Sequence, residues 1–238
     1  MAPLCLFHAP ADAQYVARWG DALQLRETAA APTDQQCFYL WYDGQRLRLC
    51  RADDRRGIYL RAASVAPRAS FGGALARACG VTRARRPSVL DVMAGLGSDG
   101  MVLAALGCSV TLIEQHPALW ALLDDYLHSQ SVSKARALLA DCWGWLAGQG
   151  GACCDTLYLD PFFPPRAKKA LPGKAMQYLR ELTGQPLFES EKLDLCLRSA
   201  RERVVLKRRL RDPKLGQPAW QIKGRTVRYD VYRAIGVG

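Results

Sequence analysis

The chain has only three histidines, and His8, His116 and His128 are too scattered for any two to share metal-ligand spacing. Its nine cysteines include no C-x-x-C, which removes the usual support for a zinc ribbon or a thioredoxin-like redox site. An odd number of unpatterned thiols reads as reduced, mostly buried residues of a cytosolic protein. No apolar run approaches the roughly 18–20 residues that span a bilayer. The opening MAPLCLFHAPADAQ lacks the basic start and long apolar stretch of a secretion signal. No internal repeat is present, and no low-complexity tract beyond short Ala/Arg-rich patches. Acids are the scarcer charge: 22 against 33 Lys plus Arg, a net +11 that favours polyanionic partners such as nucleic acid. The expectation is a soluble, cytoplasmic, basic protein that needs neither metal nor membrane.

What is present is core. Half of the 238 residues are hydrophobic, enough for one medium domain with a small appendage. Composition shifts near residue 66, so residues 1–66 are read as a small N-terminal segment and 67–238 as the main domain. In the first part, Cys37–Tyr42 and Arg46–Cys50 flank Asp43-Gly44, a hairpin signal. Arg51–Arg56 reads as a solvated turn before Ile58–Leu60, and Val65–Ser70 as a linker.

From Pro87 onward, strand, loop and helix alternate. Strands are predicted at Ser88–Met93, Cys108–Glu114, Arg136–Leu139, Asp155–Leu159 and Arg203–Lys207. Helices are predicted between them, the last about Glu189–Arg201, and a closing hairpin turns about Gly224. This pattern implies an α/β fold, a mostly parallel sheet with helices on both faces. Ligands in such sheets sit beyond the carboxyl ends of the strands.

Asp91-Val-Met-Ala-Gly95-Leu-Gly97-Ser98-Asp99-Gly100 lies where the first of these strands turns into a helix, and Glu114 closes the next strand. The glycines permit close backbone approach to a ligand, and the carboxylate can take two ribose hydroxyls. This fits a dinucleotide or S-adenosylmethionine. Two acids favour the second: Asp91 suits an amino-acid ammonium and would repel a pyrophosphate, and Asp99 adds a negative charge at the helix N-terminus, poor for phosphates. Asp141-Cys142 after the third strand suits an adenine amino group, or an N-cap for the following helix.

Asp160-Pro161-Phe162-Phe163-Pro-Pro165 follows the fourth strand. It is similar to the (Asp/Asn)-Pro-Pro-(aromatic) motif of methyltransferases acting on planar exocyclic amines. A carboxylate and a backbone carbonyl accepting both N–H bonds would localise the amine lone pair toward a methyl group. Pro161 sets the turn, and Phe162 or Phe163 offers a stacking face for an extruded base. Arg166, Lys168, Lys169, Lys207 and Arg208 flank this mouth in sequence and are candidate phosphate contacts.

With both ends read, the sequence resembles the RsmJ family of bacterial 16S rRNA (guanine-N2)-methyltransferases. The residues that carry the likeness run from about Arg68 to the C-terminus. They include Phe71-Gly-Gly, Asp91…Ala94-Gly-Leu-Gly97-Ser-Asp99, Glu114-Gln115, Tyr158-Leu-Asp-Pro-Phe-Phe-Pro164, Arg203-Val-Val-Leu-Lys-Arg208 and Tyr229-Asp-Val-Tyr232. The resemblance implies a Rossmann-like class I methyltransferase, S-adenosylmethionine as cofactor, and 16S rRNA or the 30S subunit as partner. It places donor contacts on Ser98-Asp99, Glu114-Gln115, Asp141-Cys142 and Asp160. The family pattern often has Arg where this chain has Ser98 and Gln115. Alternatives from the residues alone are transfer to DNA adenine or a glutamine amide, or a non-catalytic RNA-binding protein.

Overall fold

The computed structural model describes residues 4–32, 37–51, 53–61, 65–162, 173–184 and 188–235. Short strands at the start of the chain build a five-stranded sheet: β1 (Cys5–His8), β2 (Gln24–Glu27), β3 (Tyr39–Tyr42), β4 (Leu47–Arg51) and β5 (Asp54–Ile58), in the order β2-β1-β3-β4-β5. The Asp43-Gly44 hairpin forms, with Tyr42 opposite Leu47 and Gly44 at φ 84°. Asp43 Oδ1 accepts the Gln45 and Arg46 amides at 3.0 Å each, which holds the turn. The stretch read as a solvated turn is mostly β5, with Arg51 already paired to Asp54. Gly57 makes that tight return possible, since a Cβ there would lie 2.3 Å from the Leu49 carbonyl oxygen. Between β1 and β2, α1 (Ala13–Val16) supplies the crossover for a parallel pair.

The main sheet has seven strands: β6 (Val89–Asp91), β7 (Val110–Glu114), β8 (Ala135–Leu139), β9 (Cys154–Leu159), β10 (Ala200–Arg209), β11 (Trp220–Lys223) and β12 (Val227–Arg233). Their order is β11-β12-β10-β9-β6-β7-β8, parallel except where β12 enters antiparallel to β10 and β11. The helices are α2 (Ala74–Ala78), α3 (Ser98–Ala105), α4 (Pro117–Ser129), α5 (Cys142–Gly148), α6 (Lys174–Thr183) and α7 (Lys192–Ser199). Chain order reverses between β6 and β9, which opens a crevice at their carboxyl ends. This is a Rossmann-like sheet with a terminal antiparallel hairpin, as the residue pattern implied. Helix α7 stops at Ser199, where the sequence pattern had run it to Arg201, because Ala200 already pairs with Cys154.

The small sheet shares an apolar cluster with helices α4 and α6 of the main domain. Leu6, Leu40 and Leu49 of the small sheet pack with Leu119 and Leu122 of α4 and with Tyr178 and Leu179 of α6. Asp125 on α4 seals the joint, accepting the Leu47 amide at 2.8 Å and the Tyr15 hydroxyl at 2.9 Å. Trp19 Nε1 donates to Asp124 at 3.0 Å. The small sheet thereby fixes α6, which forms one wall of the crevice. The segment read as a linker is also tied down, because Arg68 reaches Asp99.

Candidate active site

The carboxyl ends of β6, β7, β9 and β10 surround a cavity of about 470 Å³, within the usual range for small-molecule sites of roughly 300–1,000 Å³. Its floor is made by backbone. Gly95 adopts φ 54° and donates its amide to Glu114 Oε2 at 2.9 Å. The His116 amide donates to Glu114 Oε1 at 2.8 Å. Two backbone donors thus set the angle of a buried carboxylate, and burial pushes its pKa up. Ser98, Gln115 and Cys142 line the same cavity.

Gly97, expected at the ligand, faces the core instead. It sits at φ 65° before α3, and a Cβ there would come 2.5 Å from Leu123 Cδ2. Gly100 is similar, 2.3 Å from Leu112 Cδ2. Of the three loop glycines, one borders the cavity and two let α3 lie close on its neighbours. Asp141 takes the capping role, accepting the Gly144 amide at 2.7 Å, and Cys142 rather than Asp141 faces the cavity.

The opposite wall is a buried charge cluster. Lys207 Nζ lies 2.8 Å from Asp99 Oδ2 and 2.7 Å from Asp160 Oδ2. Asp99 also accepts the Tyr158 hydroxyl at 2.5 Å and a guanidinium nitrogen of Arg68. Burial raises the Asp99 pKa, but Lys207, Tyr158 and Arg68 outweigh it and hold the carboxyl at about 2. Asp99 lines the cavity while also accepting from Lys207, Tyr158 and Arg68. Lys207, expected at an RNA phosphate, is committed to two carboxylates, and burial's downward pull on its pKa is overcome by them. Arg208 donates to the Pro213 carbonyl at 3.0 Å.

Asp91 is 2% exposed and among the described residues has only the Met93 amide, at 3.4 Å, as a donor. Burial first, then the Asp160 and Asp99 charges, raise its pKa well above the carboxylate range. Burial and the neighbouring carboxylates thus favour its neutral form. Asp160 closes β9 beside Pro161 and Phe162, all three on the cavity, and burial raises its pKa against the pull of Lys207. Phe163, Arg166, Lys168 and Lys169 lie outside the described residues.

Several lining residues carry no motif. Met176, Leu179, Arg180 and Thr183 present one face of α6 to the cavity, at helical spacing. The buried Nε of Arg180 finds no acceptor among the described residues. Trp143, Glu189 and Lys192 complete the far side, with the Lys192 ammonium 5.7 Å from the Trp143 ring centre. Only the amphipathic spacing of α6 could have signalled its inward face.

The residues fit S-adenosylmethionine. Its amino-acid end carries an ammonium and a carboxylate, the complements of the underpartnered Asp91 and the orphaned donor of Arg180. Gly95 leaves the floor open, since a Cβ there would press to 3.3 Å against Leu179.

Known proteins agree with this geometry. A family model described as "Putative SAM-dependent methyltransferase" matches residues 21–234. Ribosomal RNA small subunit methyltransferase J of Thioalkalivibrio sulfidiphilus is 43% identical over 169 residues, 66% of this chain and 66% of that protein. The protein of the same name from Marinobacter nauticus is 40% identical over 172 residues, 68% of this chain and 62% of its own length. The matched stretches therefore span just under two thirds of these two relatives. The match to the Ectopseudomonas mendocina protein of that name is longer, 36% identical over 238 residues and covering 92% of this chain and 90% of that one. A crystal structure of a SAM-dependent methyltransferase from Neisseria gonorrhoeae superposes with TM-score 0.74 at 25% identity, covering 98% and 97% of the two chains. The chain belongs to the SAM-dependent methyltransferase family, in the group of ribosomal RNA small subunit methyltransferase J.

Proposed function

We propose that this protein methylates N2 of a guanosine in 16S rRNA, free or in the 30S subunit, in the cytoplasm. The observation that carries the reading is the placement of Asp160 and Phe162 on the same cavity as Asp91 and Glu114. When bound, S-adenosylmethionine supplies an electrophilic methyl group whose sulfonium is its own leaving group. Asp91 and Arg180 hold the amino-acid end, Glu114 takes the ribose hydroxyls, and the Cys142 side of the cavity takes the adenine. Ser98 and Gln115 border the donor without adding charge.

Asp160 orients the acceptor. Lys207 occupies its Oδ2 at 2.7 Å, which leaves Oδ1 to accept one N–H of the guanine amine. Drawing on that proton localises the nitrogen lone pair, and the same oxygen is the nearest base once nitrogen has gained its methyl group. Phe162 packs its outer edge against the core shared with α4 and α6, a rigid support for a stacked base. Lys207 is a positioning residue: it keeps Asp160 ionised and turned.

The test is incubation with methyl-labelled donor and either naked 16S rRNA or 30S subunits, followed by nuclease digestion and mass spectrometry. Label on guanine N2 supports the proposal. Label on another base atom, on DNA adenine or on a glutamine amide overturns it.

A further inference from the structure

We infer that a groove beside α2 and β11 is a docking surface for the phosphate backbone of the substrate RNA. This rests on the rRNA reading above and names a surface for it. Two stretches distant in sequence meet there. Residues 67–87 hold five arginines and no acid, and residues 213–227 hold Lys214, Lys223 and Arg225, again with no acid. Helix α2 packs on β11 and β12, which sets these two stretches side by side.

The groove they form is open, about 530 Å³, and bordered by Phe71, Arg77, Gly80, Arg83 and Ile222. Arg77, Arg83, Lys223 and Arg225 are exposed. No carboxylate among the described residues lies within ion-pair distance of these four. The acids that approach, Glu202 and Asp155, sit at one edge and pair with Arg85, Arg203 and Arg201. Aromatic rings are interleaved with the cations. The Arg86 guanidinium lies 4.5 Å from the Phe71 ring centre, and half-exposed Trp220 has Arg203 at 5.7 Å and Arg233 at 5.9 Å.

Exposed cations with no carboxylate partner create a positive potential that a polyanion complements. Guanidinium beside an exposed aromatic face is the pairing that tracks a nucleic-acid backbone while a base or sugar lies on the ring. The groove also has the right address. Arg68 donates to the Ser98 carbonyl at 3.2 Å, and Ser98 and Val227 both line the methyl-transfer cavity. Phe71 is three residues past Arg68, and the turn joining β11 to β12 connects Ile222 to Val227. A strand whose target base enters the cavity therefore continues over Arg77 and Arg83.

The experiment is anisotropy binding of full-length protein to labelled 16S rRNA across a salt series. It compares wild type, the pair Arg77→Glu/Arg83→Glu, and the matched pair Arg55→Glu/Arg56→Glu on exposed β5. Loss of two phosphate contacts lowers the log–log salt slope by about two, with affinity down tenfold or more at physiological salt. S-adenosylhomocysteine affinity stays unchanged, which shows that the groove variant is folded. The inference falls if the groove pair binds rRNA with wild-type affinity and slope. It falls equally if the β5 pair loses as much, since net charge alone would then explain binding. Wild-type methyl transfer to rRNA, measured beside this, judges the function separately: transfer with a silent groove pair sinks the surface and spares the activity.

Discussion

The two walls of the cavity are built on different principles. On the proposed donor wall, backbone amides of Gly95 and His116 clamp Glu114, and every participant lies in the loops and strand ends of one β6–α3–β7 unit. On the acceptor wall, Asp160 is set by Lys207, which is set by Asp99, which is set by Arg68 and Tyr158. Those five residues come from the β9 end, β10, α3 and the stretch before α2. A backbone clamp tolerates changes of side chain around it. A chain of buried charges does not, because each member compensates another.

The contrast breaks first at Lys207. Lys207→Met leaves Asp160 without its ion-pair partner and facing an Asp99 held by Arg68 and Tyr158, and breaking such a buried pair costs about 3–5 kcal/mol. A large fall in Tm is expected, read by calorimetry. The variant's turnover should also lose activity from the acid side at a higher pH than wild type. The groups around Asp160 that would then remain are Asp91, Asp99, Tyr158, Tyr229 and Arg68, and the nearer carboxylates raise its pKa further. Lys207→Arg should restore most of the acid limb; a variant with an unmoved pH profile would show that Lys207 only fills space.

Asp160→Asn should cut single-turnover methyl transfer by about 10²–10³, the usual cost of losing one aligned polar group at a reacting centre. Its affinity for S-adenosylhomocysteine should change little. A parallel loss of binding would move Asp160 to the donor wall.

Asp91 sharpens the contrast from the donor side. In the free protein its pKa is raised, so an incoming ammonium must draw the carboxyl into its charged form. S-adenosylhomocysteine affinity therefore rises with pH up to that folded pKa, with proton release seen in buffers of different ionisation heat. Asp91→Asn should weaken binding by about ten- to hundredfold, the worth of a charged hydrogen bond of roughly 1.5–3 kcal/mol, and flatten the pH dependence.

The smallest expected effect is on acid stability. Asp99 is held at about 2, below the ordinary aspartate value. Its contribution, on the order of 2 kcal/mol by linkage, is present above the unfolded value near 4 and is lost as pH falls toward 2. Asp99→Asn should flatten that limb in urea midpoints measured between pH 5 and 2.

Legibility follows the same division. The loop around Gly95, the strand ending at Glu114 and the Asp160-Pro161-Phe162 turn are local, so their residue order already states their geometry. Lys207 read as a phosphate ligand because a basic run looks the same on a surface and in a core; the structure buries it between partners 47 and 108 positions away. Gly97 read as a ligand glycine because close approach to a ligand and to Leu123 require the same absent side chain. Strands β1 and β2 passed unseen, since four residues such as Gln24–Glu27 show no alternation to read. The order of the strands follows from βα alternation, whereas the seating of the small sheet on α4 does not.

By itself, the order of residues determined the parallel sheet, the position of its crevice and the two acids, Glu114 and Asp160, at strand ends. Those follow from periodicity and from turns that close within a few residues. Folding alone decided which charges face inward, which of three glycines borders the cavity, that α6 walls it, and that two basic stretches lie side by side. Each of those depends on the desolvation and pairing of groups remote along the chain, and such energies exist only once the chain has folded.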